Sequence, residues 1–254
     1  MNRKWTQLPA ATCAIFMLLA PINQLLAQSQ SDTLWQKAVA IDAANLQWVP
    51  GLLIENELVT DMNDKVEEHN ERQIQFYLQQ NGMLNAKLVV SRSNEEDVTQ
   101  AAQKPPGNDT VLQQYLQSDE PEIPFRQALQ ANIITVRLPE HQTIDGIECV
   151  VYEYRQISEG IEWYGTAWLA KNSGIPVKIQ FHTNESFTED KTKISKIEST
   201  IFYKCDSSSW YAQRILYKMK IKTKLFPFFT FRGKVTTEIS LSNYFSFDAV
   251  ESGR

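Results

Sequence analysis

The stretch E-W-Y-G-T-A-W-L-A-K-N-S-G-I-P-V-K-I-Q-F, Glu162 to Phe181, holds two runs of β-formers around a turn. Trp163 to Leu169 and Val177 to Phe181 are the runs, and Asn172, Ser173 and Gly174 supply the turn chemistry. Gly174 is free to take a positive φ. Pro176 cannot donate to a ladder, so it belongs at the mouth of the returning strand or on an edge. Val177, Ile179 and Phe181 alternate with Lys178, Gln180 and His182. The spacing predicts an antiparallel hairpin with one buried face, and it carries no catalytic chemistry.

Working outward, the chain resolves into further strands. Leu52 to Met62 alternates and predicts a strand with an acidic outer face at Glu55, Glu57 and Asp61. Val66 to Gln80 follows, and Asn81-Gly82, a strong hairpin signal, returns the chain along Leu84 to Ser91. Beyond residue 132 come Ile133–Leu138, Ile147–Tyr154, the opening hairpin, Lys196–Cys205, Arg214–Leu225 and Gly233–Phe245. Thr33 to Asn45 reads as a helix capped by Asp32, with Leu34, Ala38 and Ile41 on its apolar face. The segment around 93–132 lacks strand pattern. It predicts a helical insertion, with one short helix near Val111–Leu116 and another starting at Pro124. The expected class is α+β, with about nine or ten mostly sequential antiparallel strands in a curved sheet covered on one side by helices.

Residues 1–27 read as a signal peptide: Arg3 and Lys4, then an apolar run from Leu8 to Ala20, then Ala27 before a polar stretch. Residues 28–254 are expected to form a single soluble domain in the periplasm. The net charge of −5 argues against nucleic acid as the main partner. Of the mature cysteines, Cys149 and Cys205 sit in separate strands, and both a disulfide and two buried free thiols remain open.

No enzyme constellation emerges. His69, His141 and His182 are scattered, and there is no H-E-x-x-H, C-x-x-C or G-x-S-x-G and no glycine-rich loop before a helix. Asp61-Met62-Asn63-Asp64 starts like a calcium loop, but Val66 stands where glycine is needed. The reading is therefore a non-enzyme with no cofactor and no metal.

Two features near the C-terminus stand out. Lys218, Lys220, Lys222 and Lys224 form a comb on one face of a strand. It is either a solvated face that discourages edge association or a strip for anionic head groups or an acidic partner. Phe226, Phe228, Phe229 and Phe231 crowd the following turn, as core packing or as an exposed tip for a membrane or partner.

Gly165-Thr-Ala-Trp-Leu-Ala-Lys-Asn-Ser-Gly-Ile-Pro-Val-Lys178 resembles the G-x-x-W-L-x-K-x-x-G-x-P-x-K hairpin of the bacterial outer-membrane lipoprotein-sorting, or LolA-like, superfamily. Asp145-Gly146-Ile-Glu-Cys-Val-Val-Tyr152 is similar to the turn and strand before that hairpin, and Ser242-Asn243-Tyr244-Phe245 to the last strand. The resemblance spans roughly Pro124 to Phe245. It implies a curved antiparallel half-barrel with helices over the concave face, enclosing an apolar cavity, in proteins that carry acyl chains in the periplasm. The expected role is a carrier for a lipid, lipoprotein or other apolar ligand; an interaction module of an envelope transport complex, without a cavity, is the alternative. Inward candidates for the cavity wall are Ile74, Phe76, Leu88, Val151, Trp163, Leu169, Ile179, Phe181, Tyr203, Ile215 and Tyr217, and the same alternation serves plain core equally well.

Overall fold

The computed structural model describes residues 32–45, 48–103, 123–158, 160–189, 191–206, 209–226 and 229–246. In chain order the elements are α1 (Thr33–Asn45), β1 (Trp48–Val49), β2 (Leu52–Asp61), β3 (Val66–Leu78), β4 (Leu84–Ser93), β5 (Glu96–Asp97) and α2 (Thr99–Ala102). A 3-10 helix (Gln127–Asn132) then leads into β6 (Ile133–Ile144), β7 (Ile147–Ser158), β8 (Ile161–Ala170), β9 (Pro176–Glu189) and β10 (Thr192–Asp206). The chain closes with β11 (Ser209–Phe226), β12 (Phe229–Ser242) and β13 (Phe245–Ser246). The expected leader and the helix at Val111–Leu116 lie outside the described residues.

Eleven strands form one open antiparallel sheet in the order β5-β4-β3-β2-β12-β11-β10-β9-β8-β7-β6, and β1 pairs with β13 in a separate ribbon. Every neighbour is a sequential hairpin partner except one. The last long strand, β12, lies beside β2, with Gly233 opposite Asp61 and Ser242 opposite Leu52. The expected sequential sheet is thus two meanders sewn together.

The opening hairpin forms with the predicted strands and turn, but a register shift between Trp168 and Leu169 leaves Val177 packed with Cys149, Val151 and Trp168, apart from Ile179 and Phe181. Ala167 faces Ile179, and Gly174 turns the chain at φ 79°. Gly174 also abuts α1, where a side chain would meet Lys37 Cβ at 2.9 Å. Helix α1 therefore lies against the β8–β9 turn and over the face carrying Ile179 and Phe181, which we call the inner face.

The helix has the predicted bounds, and Asp32 Oδ1 accepts the Leu34 amide at 3.0 Å. Its buried stripe, however, is Trp35, Ala38, Val39 and Asp42, with Leu34 and Ile41 only flanking. The larger Trp35 takes the centre, with its ring 4.8 Å from Phe125 and 5.5 Å from Tyr152, and its indole donates to Gln130 Oε1 at 3.0 Å. Asp42 tolerates burial beside Arg126 at 3.5 Å. Val39, Leu169, Ile179 and Ile201 complete this core. A second cluster joins Val49, Leu53, Phe76 and Ala86.

A third cluster lies on the outer face: Cys149, Val151, Trp168 and Val177. Val151 therefore does not share the inner face with Leu169 and Ile179. The run Cys149 to Tyr152 is buried on both sides, so it lacks the alternation that would tell the two faces apart. Cys149 is a free, buried thiol on β7, three strands from Cys205 on β10. Burial pushes its pKa up, which keeps it protonated and inert at neutral pH.

Two outcomes follow from this packing. The Tyr154 ring lies over Gly165, where any Cβ would collide with it, and Tyr154 is itself buried. Gly165→Ala should lower stability by about 1–3 kcal/mol in denaturant unfolding. Asp32 accepts the Tyr152 hydroxyl at 2.6 Å and faces Arg137 at 3.5 Å. Burial raises its pKa, but the bonds from Tyr152 and the Leu34 amide, with the Arg137 charge, outweigh this, and the net shift is downward. A carboxyl lowered on folding stabilises above its unfolded pKa of about 4 and loses that contribution as pH falls through its folded value. The pH profile of unfolding should therefore lose stability below about pH 4, and Asp32→Asn should flatten that limb.

Candidate functional site

Cross-strand register arranges the inner face in rows, since paired residues share a face. One row runs Ile179, Ile201, Ile215, Ile239, Glu55, Arg72, Ser91 from β9 to β4. The next runs Phe181, Ser199, Tyr217, Thr237, Glu57, Asn70, Ser93. A third holds Met219, Val235, Val59 and Glu68, with Ile197 beside it at a bulge in β10. Each row begins apolar and ends polar or charged at β2–β4. The inner face is thus amphipathic along the direction that crosses the strands.

At the polar end, a depression of about 210 Å³ is lined by residues that include Glu55, Glu57, Asn70, Arg72, Ser91 and Ser93. Arg72 pairs with Glu55 at 2.7 Å. Asn70 Nδ2 donates to Glu57 Oε1 at 3.3 Å and to Glu68 Oε1 at 2.8 Å. One wall is held by Thr99 of α2, whose hydroxyl accepts the Ser91 amide at 2.8 Å. The middle row contributes hydroxyls: Ser199 and Thr237 are both buried, and Ser199 Oγ has no hydrogen-bond partner among the described residues. Such a group is rare in a native interior and calls for an explanation. Glu55 and Glu57, expected on an acidic outer face, point the other way. β2 is apolar on both faces (Leu52 and Ile54 against Leu53 and Val59), so its register with β12 decides which way the acids point.

The sequence-predicted wall residues divide by depth. Leu169, Ile179 and Phe181 are fully enclosed in the core, and Trp163, Tyr203 and Ile215 pack against it. Ile74 and Phe76 belong to the second cluster, and Leu88 is buried on β4. Tyr217 sits half-buried in the hydroxyl row, and Val151 is on the outer face. Beyond them the inner face continues as Ile194, Met219, Ile221 and Phe231, half-buried, and Phe187, exposed. The Phe231 ring folds over Gly233, within 2.7 Å of where a Cβ would stand. Lys218, Lys220, Lys222 and Lys224 lie on the outer face, so the comb and Phe231 do not form one surface. The side chains of Phe226, Phe228 and Phe229 lie outside the described residues.

Among the described residues no three His, Cys, Asp or Glu side chains gather as a metal site. No helix there is long and apolar enough to cross a membrane.

No family model matches the sequence, and no curated protein matches it. Among solved structures, the chain is similar to a putative outer membrane lipoprotein-sorting protein domain from Vibrio parahaemolyticus. That match has 14% identity and a TM-score of 0.33, and covers 87% of this chain and 93% of that one. It is also similar to a DUF1329 family protein from Desulfovibrio piger, at 9% identity and a TM-score of 0.31, with the same coverage.

Removing the Ser199 hydroxyl tests the inner face directly. Ser199→Ala should leave stability unchanged or raise it by about 1 kcal/mol in denaturant unfolding, because it deletes a buried polar atom with no partner among the described residues. A loss of stability would show that the hydroxyl is bonded.

Proposed function

We propose that the protein binds an amphipathic, lipid-like ligand across its inner face and acts as a non-enzymatic carrier in the periplasm after its leader is cleaved. The observation that supports this reading is the grading of the inner face. The isoleucine row of β9–β12 runs into Glu55 and Arg72, the row of Phe181, Ser199, Tyr217 and Thr237 into Glu57 and Asn70, and the row of Met219 and Val235 into Val59 and Glu68. An acyl chain lying over the half-buried Ile197, Met219 and Ile221 would gain about 0.8 kcal/mol per methylene taken from water. Its polar end would meet the Glu55–Arg72 pair and the hydroxyls of the middle row. The apolar residues enclosed by α1 and Phe125 serve as scaffold, and the half-buried ones beyond them serve as the ligand surface.

In this reading the sheet curves around the ligand, with helical cover over its concave side, as the hairpin resemblance implies. Lipids and the acyl chains of lipoproteins are the ligand classes that this geometry suits. The site needs no cofactor, because area burial and a few hydrogen bonds are all that binding requires.

Organic extraction of the purified protein followed by mass spectrometry should recover a bound amphiphile. Met219→Asp, which places a charge on the apolar row without emptying the core, should abolish that recovery while the protein stays folded. Nothing recovered from the unaltered protein would sink the carrier reading and favour an interaction module without a ligand.

A further inference from the structure

The comb of β11 belongs to a larger array. Register places Lys222 between Lys193 on β10 and Arg232 on β12, three cations abreast across adjacent strands. One step along, Lys220 faces Lys234. Lys224 extends the column, and its backbone joins the turn at Lys191. Among the described residues one of these groups forms an ion pair, Lys234 with Asp64 at 2.7 Å. Neighbouring strands are about 4.8 Å apart and alternate residues about 6.6 Å, so these charges share a small area.

Like charges directly opposite one another in a sheet are destabilising, so the fold bears a cost here. Edge protection does not explain it. β10, β11 and β12 are each paired on both sides and present no edge. Nor does overall charge, since the chain carries a net −5 and concentrates cations against that balance.

We infer that this outer-face array, centred on Lys193, Lys220, Lys222 and Arg232, docks the protein onto an anionic phospholipid surface. Charge complementarity and residue type select the occupant. Of the five cations here that form no ion pair among the described residues (Lys193, Lys220, Lys222, Lys224 and Arg232), four are lysines. Lysine is a hydrated point charge suited to a diffuse head-group field, whereas arginine suits bidentate recognition of carboxylates. Lysine is also depleted at protein–protein interfaces, where arginine is enriched. The array lies on the face opposite the proposed ligand site, and the two proposals stand or fall separately.

The test mixes the full chain with vesicles of phosphatidylcholine, with or without 30% phosphatidylglycerol (about 30 mol%, a moderately anionic surface). Co-sedimentation should require phosphatidylglycerol and fall steeply with salt. Each cation near the surface contributes about fivefold to partitioning, so Lys220→Gln with Lys222→Gln should weaken it roughly 25-fold. Both positions are on the outer face, and circular dichroism should be unchanged. Equal binding to both vesicle types at low salt, or phosphatidylglycerol-dependent binding unaffected by the double substitution, overturns the inference. Retention on immobilised polyglutamate without vesicle binding also overturns it, in favour of an acidic protein partner.

Discussion

The ladder between β2 and β12 holds the rest of the structure in place. It joins β2, the first long strand after α1, to β12, the last long strand described. Without it, β2–β5 and β6–β12 would be separate meanders, each with an open edge and a half-buried face. Gly233 makes the approach possible: any Cβ there would press on the Thr60 carbonyl and the Phe231 ring. A side chain at this point would force the two strands apart, and the pairing of Lys234 with Asp64 in the β2–β3 turn depends on the same approach.

That one register has consequences on both faces. On the inner face it sets Ile239 against Glu55 and Thr237 against Glu57, so two of the three rows turn acidic at this seam. On the outer face it turns β12 into an interior strand, and the cations of β10–β12 lose any role in guarding an edge. One face therefore grades from apolar to polar across its strands, and the other gathers positive charge on β10–β12.

Stability rests elsewhere, at the end of the sheet under α1. Trp35 meets Phe125, Tyr152 and Tyr154, and Trp210 donates its indole proton to the Pro176 carbonyl at 2.5 Å while stacking on Tyr203. Asp32 both caps the helix and accepts from Tyr152, tying α1 to β7 through one carboxylate. These contacts enclose Leu169, Ile179 and Ile201, which explains why residues that alternate correctly for a cavity wall are solid core instead. Half-buried apolar positions further along β10–β12 lie beyond this clamp, toward the other end of the same strands.

Local chemistry was legible in the sequence. The limits of α1, its Asp32 cap, the Asn81-Gly82 and Asp145-Gly146 turns and the strand order from β6 to β12 all follow from φ preferences, capping and period-two alternation. Each of these acts within a few residues. The β2–β12 pairing was not legible, because nothing in Leu52–Asp61 names a partner some 180 residues away. The inward turn of Glu55 and Glu57 depends on that partner, since β2 is apolar on both faces. Val151 was misplaced for a related reason: a strand buried on both sides has no alternation to read. The lysine comb was visible from the start, but the charges beside it come from two other strands. Sequence alone determined the elements and their turns. Only tertiary register decided which residues share a face, because a face is made by strands meeting side by side, and the order along the chain does not specify that meeting.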